Sequence, residues 1–293
     1  MRSGSTLQRP TGPFMIPART LLLLAGLLAI ALGAINLYHE RHVGEVDNIY
    51  IVIAALVGMV WLASLVLAWR GARVGIVLAA AAAFLEFGLI ASSHFVTGPA
   101  SMSTYVRKEG LGVAAISMVL LVMSLLAFMA AVVCWSHPRG RLKARTTIPL
   151  LLTSIVGAAL VILYATDSVR RDDFGTASPE DGTFAASVAA TFWLFGGLWV
   201  GRARRTGALL IGLGTFMTSF SFTALHLIKG GKTLGDIAAK SGPGWATIAG
   251  AMAILAILSL LLAVAILLAP VFQRRRPPRK VAATPARGSA TGG

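Results

Sequence analysis

Two histidines, one carboxylate and a run of hydroxyls are the groups in this sequence best placed to do chemistry, because they sit within or at the ends of long apolar stretches. His94 and His226 close two such stretches at equivalent places. Two neutral imidazoles facing each other across a bundle would ligate a haem iron or another metal. The plainer alternative, and the preferred one, is that each His caps the last carbonyls of its own helix.

Glu86 lies two helical turns before His94, about 12 Å deeper at 1.5 Å per residue. A charged carboxylate at mid-bilayer costs about 2.5–3.5 kcal/mol on insertion scales. No Lys or Arg stands at its depth, so it is expected to keep its proton and to hydrogen-bond a neighbouring helix. The corresponding residue of the second half is Thr218, so any role of Glu86 belongs to one half. Thr215, Ser219, Thr223 and His226 fall at helical spacing on one face. Such a stripe lines a wet cavity or, more commonly, bonds its own backbone and adjacent helices.

His39, Glu40, His42, Glu45 and Asp47 follow the first apolar run. His-x-x-His beside carboxylates is a weak zinc or copper pattern, and a solvated acidic loop is the preferred reading. Asp167, Asp172, Asp173, Glu180 and Asp181 form a second such segment, without His. The single cysteine, Cys134, excludes a disulfide within the chain. There is no Walker loop, dinucleotide glycine motif, HExxH or nucleophile elbow.

The elements that must carry these residues are membrane spans. The chain has 293 residues, 56% hydrophobic and 13% charged, with a mean hydropathy of +0.79. Soluble domains carry about twice that share of charge. Apolar runs long enough for a ~30 Å hydrocarbon core occur at 20–38, 49–69, 74–96, 112–135, 147–165, 183–200, 206–228 and 245–270. The fold class is therefore an all-α integral membrane protein of eight transmembrane helices. The net charge of +15 does not point to nucleic acid, because the basic residues sit in short connections. Arg70, Arg73, Arg139, Arg141, Lys143, Arg145, Arg202, Arg204, Arg205 and the 273–280 tail share one side, and nearly all the acids share the other. By the positive-inside rule both termini are cytoplasmic. Tyr38, Tyr50, Tyr105 and Tyr164 then mark the outer interface, and Trp69, Trp135 and Trp199 the inner one. The excess of Arg over Lys, with abundant Ala and Gly, suits a GC-rich bacterial genome and hence a bacterial inner membrane.

The two halves match. One gapless register places Trp61 on Trp193, Arg73 on Arg205, Gly75 on Gly207, His94 on His226 and Lys108 on Lys240. A second register pairs Arg19 with Arg145 and Tyr38 with Tyr164; the longer outer segment 166–182 absorbs the difference. This predicts a 4+4 internal duplication: two tandem four-helix bundles related by a pseudo-two-fold axis along the membrane normal. The expected organisation is a cytoplasmic tail at 1–17, repeats at 18–140 and 141–271, and a basic, disordered tail at 272–293 that attracts anionic lipid.

Eight helices in two four-helix halves with interfacial histidines resemble haem A synthase in outline. That family carries His pairs on the even-numbered helices of each half. Here those helices hold none, and His137 lies beyond the fourth, so the resemblance extends to architecture and no ligand residue carries over. The function expected from the residues is a non-enzymatic subunit, scaffold or assembly partner in the membrane. The alternatives are a small-solute or lipophile transporter using the seam between halves, and a haem- or quinone-binding redox protein.

Overall fold

The structure is a computed structural model describing residues 17–43, 46–96, 100–136, 148–174, 177–201, 203–223, 226 and 233–274. Expectations about Glu45, His137, the terminal tails beyond these limits and the basic linker after the fourth span fall outside them. The described residues are all-helical, with ten helices and no strand. Eight are long and apolar enough to cross a membrane: α1 (Ala18–His42), α2 (Asn48–Trp69), α3 (Arg73–His94), α5 (Leu111–Ser136), α6 (Ile148–Arg171), α7 (Pro179–Trp199), α8 (Arg204–Thr223) and α10 (Pro243–Arg274). Two short helices, α4 (Met102–Lys108) and α9 (Leu234–Ser241), precede α5 and α10. Composition alone did not anticipate them.

Local sequence explains where the elements start and turn. Ser178 caps α7 by accepting from the Asp181 N–H, Pro179 opens the helix, and Glu180 and Asp181 sit at its positive end. Thr233 and Asp236 cap α9 reciprocally. The α2–α3 turn is closed by Gly71 at φ +87°, a conformation that costs glycine nothing. Just beyond it, Gly75 lets α3 lie directly on α2: a Cβ there would stand 2.4 Å from the backbone nitrogen of Ala68. Gly207 repeats this in the second half, where a Cβ would meet the α-carbon of Val200 at 2.3 Å.

Each half is a closed ring of four spans. In the first, α1 packs on α2 and α5, and α3 packs on the same two; in the second, α6 and α8 stand likewise between α7 and α10. The halves join where α5 and α4 of the first rest on α6 and α7 of the second. A two-fold axis would return this contact by setting α10 against α1 and α2. Among the described residues no packing of comparable extent does so. The side chains give the reason. Val122, Leu126 and Ala130 of α5 are buried, whereas Ile254, Leu258 and Leu262, in the same register on α10, face outward. The joint is therefore one-sided, and the two-fold expectation is corrected. α5 and α7 form the centre, with 56% of each span window buried against 22% for α2. Tight packing and hydrogen bonds hold such a bundle together, because lipid tails are as apolar as the side chains they touch.

Three placements differ from expectation. α1 continues through His42, so Glu40 is a buried helical residue and not part of a loop. α6 continues through Arg171, and Asp167, Asp173 and Glu180 are buried, not solvated. Tyr105 and Trp199 are also buried and do not mark interfaces; Trp199 stacks on Phe195.

Candidate functional site

Five polar side chains from four elements meet inside the first half. Asn36 and Glu40 stand one turn apart on α1, His94 ends α3, Tyr105 lies on α4 and Ser117 on α5; all five are buried. The Tyr105 hydroxyl donates to Glu40 Oε1 at 3.0 Å, and Asn36 Nδ2 donates to the same oxygen at 2.5 Å. Ser117 donates to Asn36 Oδ1 at 3.1 Å. His94 Nδ1 lies 2.7 Å from the Ala100 carbonyl, which can only accept, so Nδ1 carries a hydrogen. His94 Nε2 then faces both Glu40 Oε1 at 3.1 Å and Asn36 Nδ2 at 3.0 Å. A proton held between Nε2 and Oε1 satisfies this pair; without it, Nε2 accepts from the amide. The knot thus has two internally consistent proton arrangements. Polar groups buried in a bilayer must find partners inside the protein, and here each does.

A cavity of about 550 Å³ opens beside this knot, between α1, α2 and α3. Its wall is almost wholly apolar, with Ile30, Leu37, Ala54 and Met59 among its residues. Tyr38, Arg41 and Glu86 break that pattern. Glu86 projects from α3 so that its Oε1 would stand 3.0 Å from a Cβ on Gly33 of α1. It has no hydrogen-bond partner among the described residues. Trp61 is buried against the cavity with an unpartnered indole N–H. Arg41 stands near the cavity's α1 end, by the membrane surface, and reaches the Val46 carbonyl at 3.5 Å. The volume lies in the range of small-molecule sites.

The second half has a cavity of its own but not the knot. A space of about 500 Å³ lies between α6, α7, α8 and α10, lined by Tyr164, Ala186, Ala189 and Thr218. These occupy the positions of Tyr38, Ala54, Val57 and Glu86, which line the first cavity. The Thr218 hydroxyl is committed to the Gly214 carbonyl at 2.9 Å. Where the knot stands, the second half has Ile162, Thr166, Ile237 and Ala249 in place of Asn36, Glu40, Tyr105 and Ser117. His226 instead pairs with the Tyr164 hydroxyl and lies against Phe222.

The structure brings some sequence-predicted residues together and separates others. His94 and His226 each have partners within their own half, and α5 and α7 lie between the helices that carry them. They do not face one another. Thr215 bonds the Ile211 carbonyl at 2.7 Å, so this member of the α8 stripe serves its own backbone; Ser219 keeps a buried hydroxyl without a partner, and Thr223 is half-buried. His39 lies 3.8 Å from Glu109, His42 stacks on Tyr38, and Asp47 occupies the N-cap position of α2 without a side-chain capping bond, so these do not converge. Among the described residues no cluster of His, Cys, Asp and Glu has the makings of a metal site.

Sequence reading does not single out Asn36 and Ser117 as site residues, and it places Glu40 in a loop and Tyr105 at an interface. The available signal was polar residues at positions 36, 40 and 117 inside or beside apolar runs. It also missed the joint between halves: Glu180 of α7 accepts from the Ser103 N–H at 3.2 Å and its hydroxyl at 2.6 Å, capping α4. Arg171 bridges Asp167 at 2.7 Å and Asp173, tying down the end of α6.

No protein-family model matches this chain, and no curated protein or solved structure is significantly similar to it.

Proposed function

We propose that this multi-pass membrane protein is non-catalytic and binds a small lipophilic amine or organic cation in the cavity between α1, α2 and α3. The observation that carries this reading is Glu86, a carboxylate without a hydrogen-bond partner in a mostly apolar cavity. A cation seated there takes the place of the Glu86 proton, and in a low-dielectric setting the resulting charge pair is worth far more than in water. Apolar walls suit the rest of such a molecule. The binding site therefore belongs within one half, in place of the seam first considered for transport, which α5 and α7 fill. A subunit or scaffold role remains compatible with such binding.

The same proposal includes a duplicated four-helix ancestor, with both termini cytoplasmic in a bacterial inner membrane. Supporting it are the matched sequence registers, the matched Gly75 and Gly207 contacts, and the two cavities at corresponding positions. The charge bias of the loops supports the orientation.

Binding of tetraphenylphosphonium to the detergent-purified protein tests the reading, with Glu86→Gln and Thr218→Val alongside. The expected result is saturable binding weakened at least roughly tenfold by Glu86→Gln and unchanged by Thr218→Val. No saturable binding by the unaltered protein, or equal binding by Glu86→Gln, would overturn it.

A further inference from the structure

A third cavity, of about 460 Å³, lies at the opposite end of the first half from the polar knot. It is lined by Arg19 at the start of α1, Gly71 and Arg73 around the α2–α3 turn, Ile76 on α3, and Cys134 and Trp135 at the end of α5. Residues distant in sequence thus bring two guanidinium groups to one cleft. Neither has a carboxylate partner among the described residues. Gly71 helps to make the room, since a Cβ there would lie 3.3 Å from Arg19 Nη1.

The surroundings are those of a membrane interface. Trp69 and Trp135 are exposed at this end, where indole rings settle at headgroup level. On the same helices as the two arginines, Leu24 of α1 and Val74 and Val77 of α3 are exposed apolar side chains. We infer that this cleft binds the phosphate of an anionic phospholipid, with Arg19 and Arg73 on the headgroup and the acyl chains along α1 and α3. Guanidinium forks match phosphate oxygens with paired hydrogen bonds, and basic pockets between spans hold anionic headgroups. The site is separate from the Glu86 cavity and shares no residue with it.

Native mass spectrometry of the purified protein tests it, with phosphatidylglycerol or phosphatidylcholine added in equal amounts. The expected result is selective retention of phosphatidylglycerol, reduced roughly 10–30-fold by Arg19→Gln with Arg73→Gln. Arg204→Gln with Arg205→Gln, at the corresponding turn of the second half, is expected to leave it unchanged. Arg19→Lys with Arg73→Lys keeps both charges but loses the paired guanidinium bonds, and should retain only part of the binding. Inorganic phosphate supplied to the unaltered protein separates the two sources of the anion. Displacement of the lipid only at large molar excess supports the lipid assignment, and displacement at equimolar phosphate overturns it. Equal retention of phosphatidylcholine, or retention unaffected by loss of Arg19 and Arg73, would also overturn the inference.

Discussion

His94 Nε2 stands 3.1 Å from Glu40 Oε1, with Tyr105 and Asn36 donating to the same carboxylate oxygen. This contact ties the end of α3 to the end of α1, and Ser117 extends the tie to α5. Removing one partner strands the other in a setting without water. Both His94→Ala and Glu40→Ala are expected to destabilise the protein by about 1–3 kcal/mol. The double variant should lose less than the sum. Thermal unfolding in detergent, followed as a complete cycle, measures this; strict additivity would show that the pair is not coupled.

Gly75 and Gly207 have no room for a side chain, whereas Gly58, also within a span, has nothing within 4 Å of where its Cβ would be. Gly75→Leu or Gly207→Leu must push α3 from α2, or α8 from α7, and is expected to cost about 3 kcal/mol or more. Gly58→Ala should be neutral or stabilising by up to about 1 kcal/mol. Monodisperse yield and melting temperature report both. Equal tolerance at all three positions would contradict the packing described.

The Glu180–Ser103 contact makes a different prediction. Glu180→Ala leaves the start of α4 uncapped, at a cost of about 1–2 kcal/mol. Faster hydrogen exchange should be confined largely to residues 101–108 and the neighbouring start of α7. Unchanged exchange there would mean that the cap contributes nothing to holding α4.

Asp236 lies outside the long spans, and its hydrogen bonds from the Thr233 backbone N–H and hydroxyl hold its carboxyl below the ordinary value of 3.8. A group with a lowered folded value binds fewer protons in the folded state. Its stabilising effect on α9 is therefore present above pH 3.8 and fades as pH falls through the lower, folded value. Local exchange in α9 should quicken with acid through that window, beyond the change of the intrinsic rate, and Asp236→Asn should abolish the response.

Much of the architecture was legible because membrane spans announce themselves by length and hydropathy. Gly75 and Gly207 were visible as a matched pair, although only the structure shows that they set helix separation. The knot was less legible for a physical reason. Apolar runs end where polar residues begin, so Glu40 read as loop, yet the backbone remains helical for another turn as far as His42. Burial of Glu40 depends on Tyr105 and His94, which come from distant segments and meet it only through packing. The short helices α4 and α9 were hidden by their brevity, although the spacing of Thr233 and Asp236 carried a capping signal. The one-sided joint had no sequence signature beyond smaller residues on α5, such as Ala130 where α10 has Leu262.

The cap on α4 also sets an order of events as the chain is made. Ser103 leaves the ribosome long before Glu180, from which it is separated by 77 residues. Synthesis is slow beside helix formation, proceeding at roughly 5–20 residues per second. For several seconds the first four spans exist without the residue that fixes the start of α4, and α4 carries Tyr105, one wall of the knot. The first half is therefore completed by the second, and a nascent chain halted before α7 would hold its four helices with that wall still unfastened.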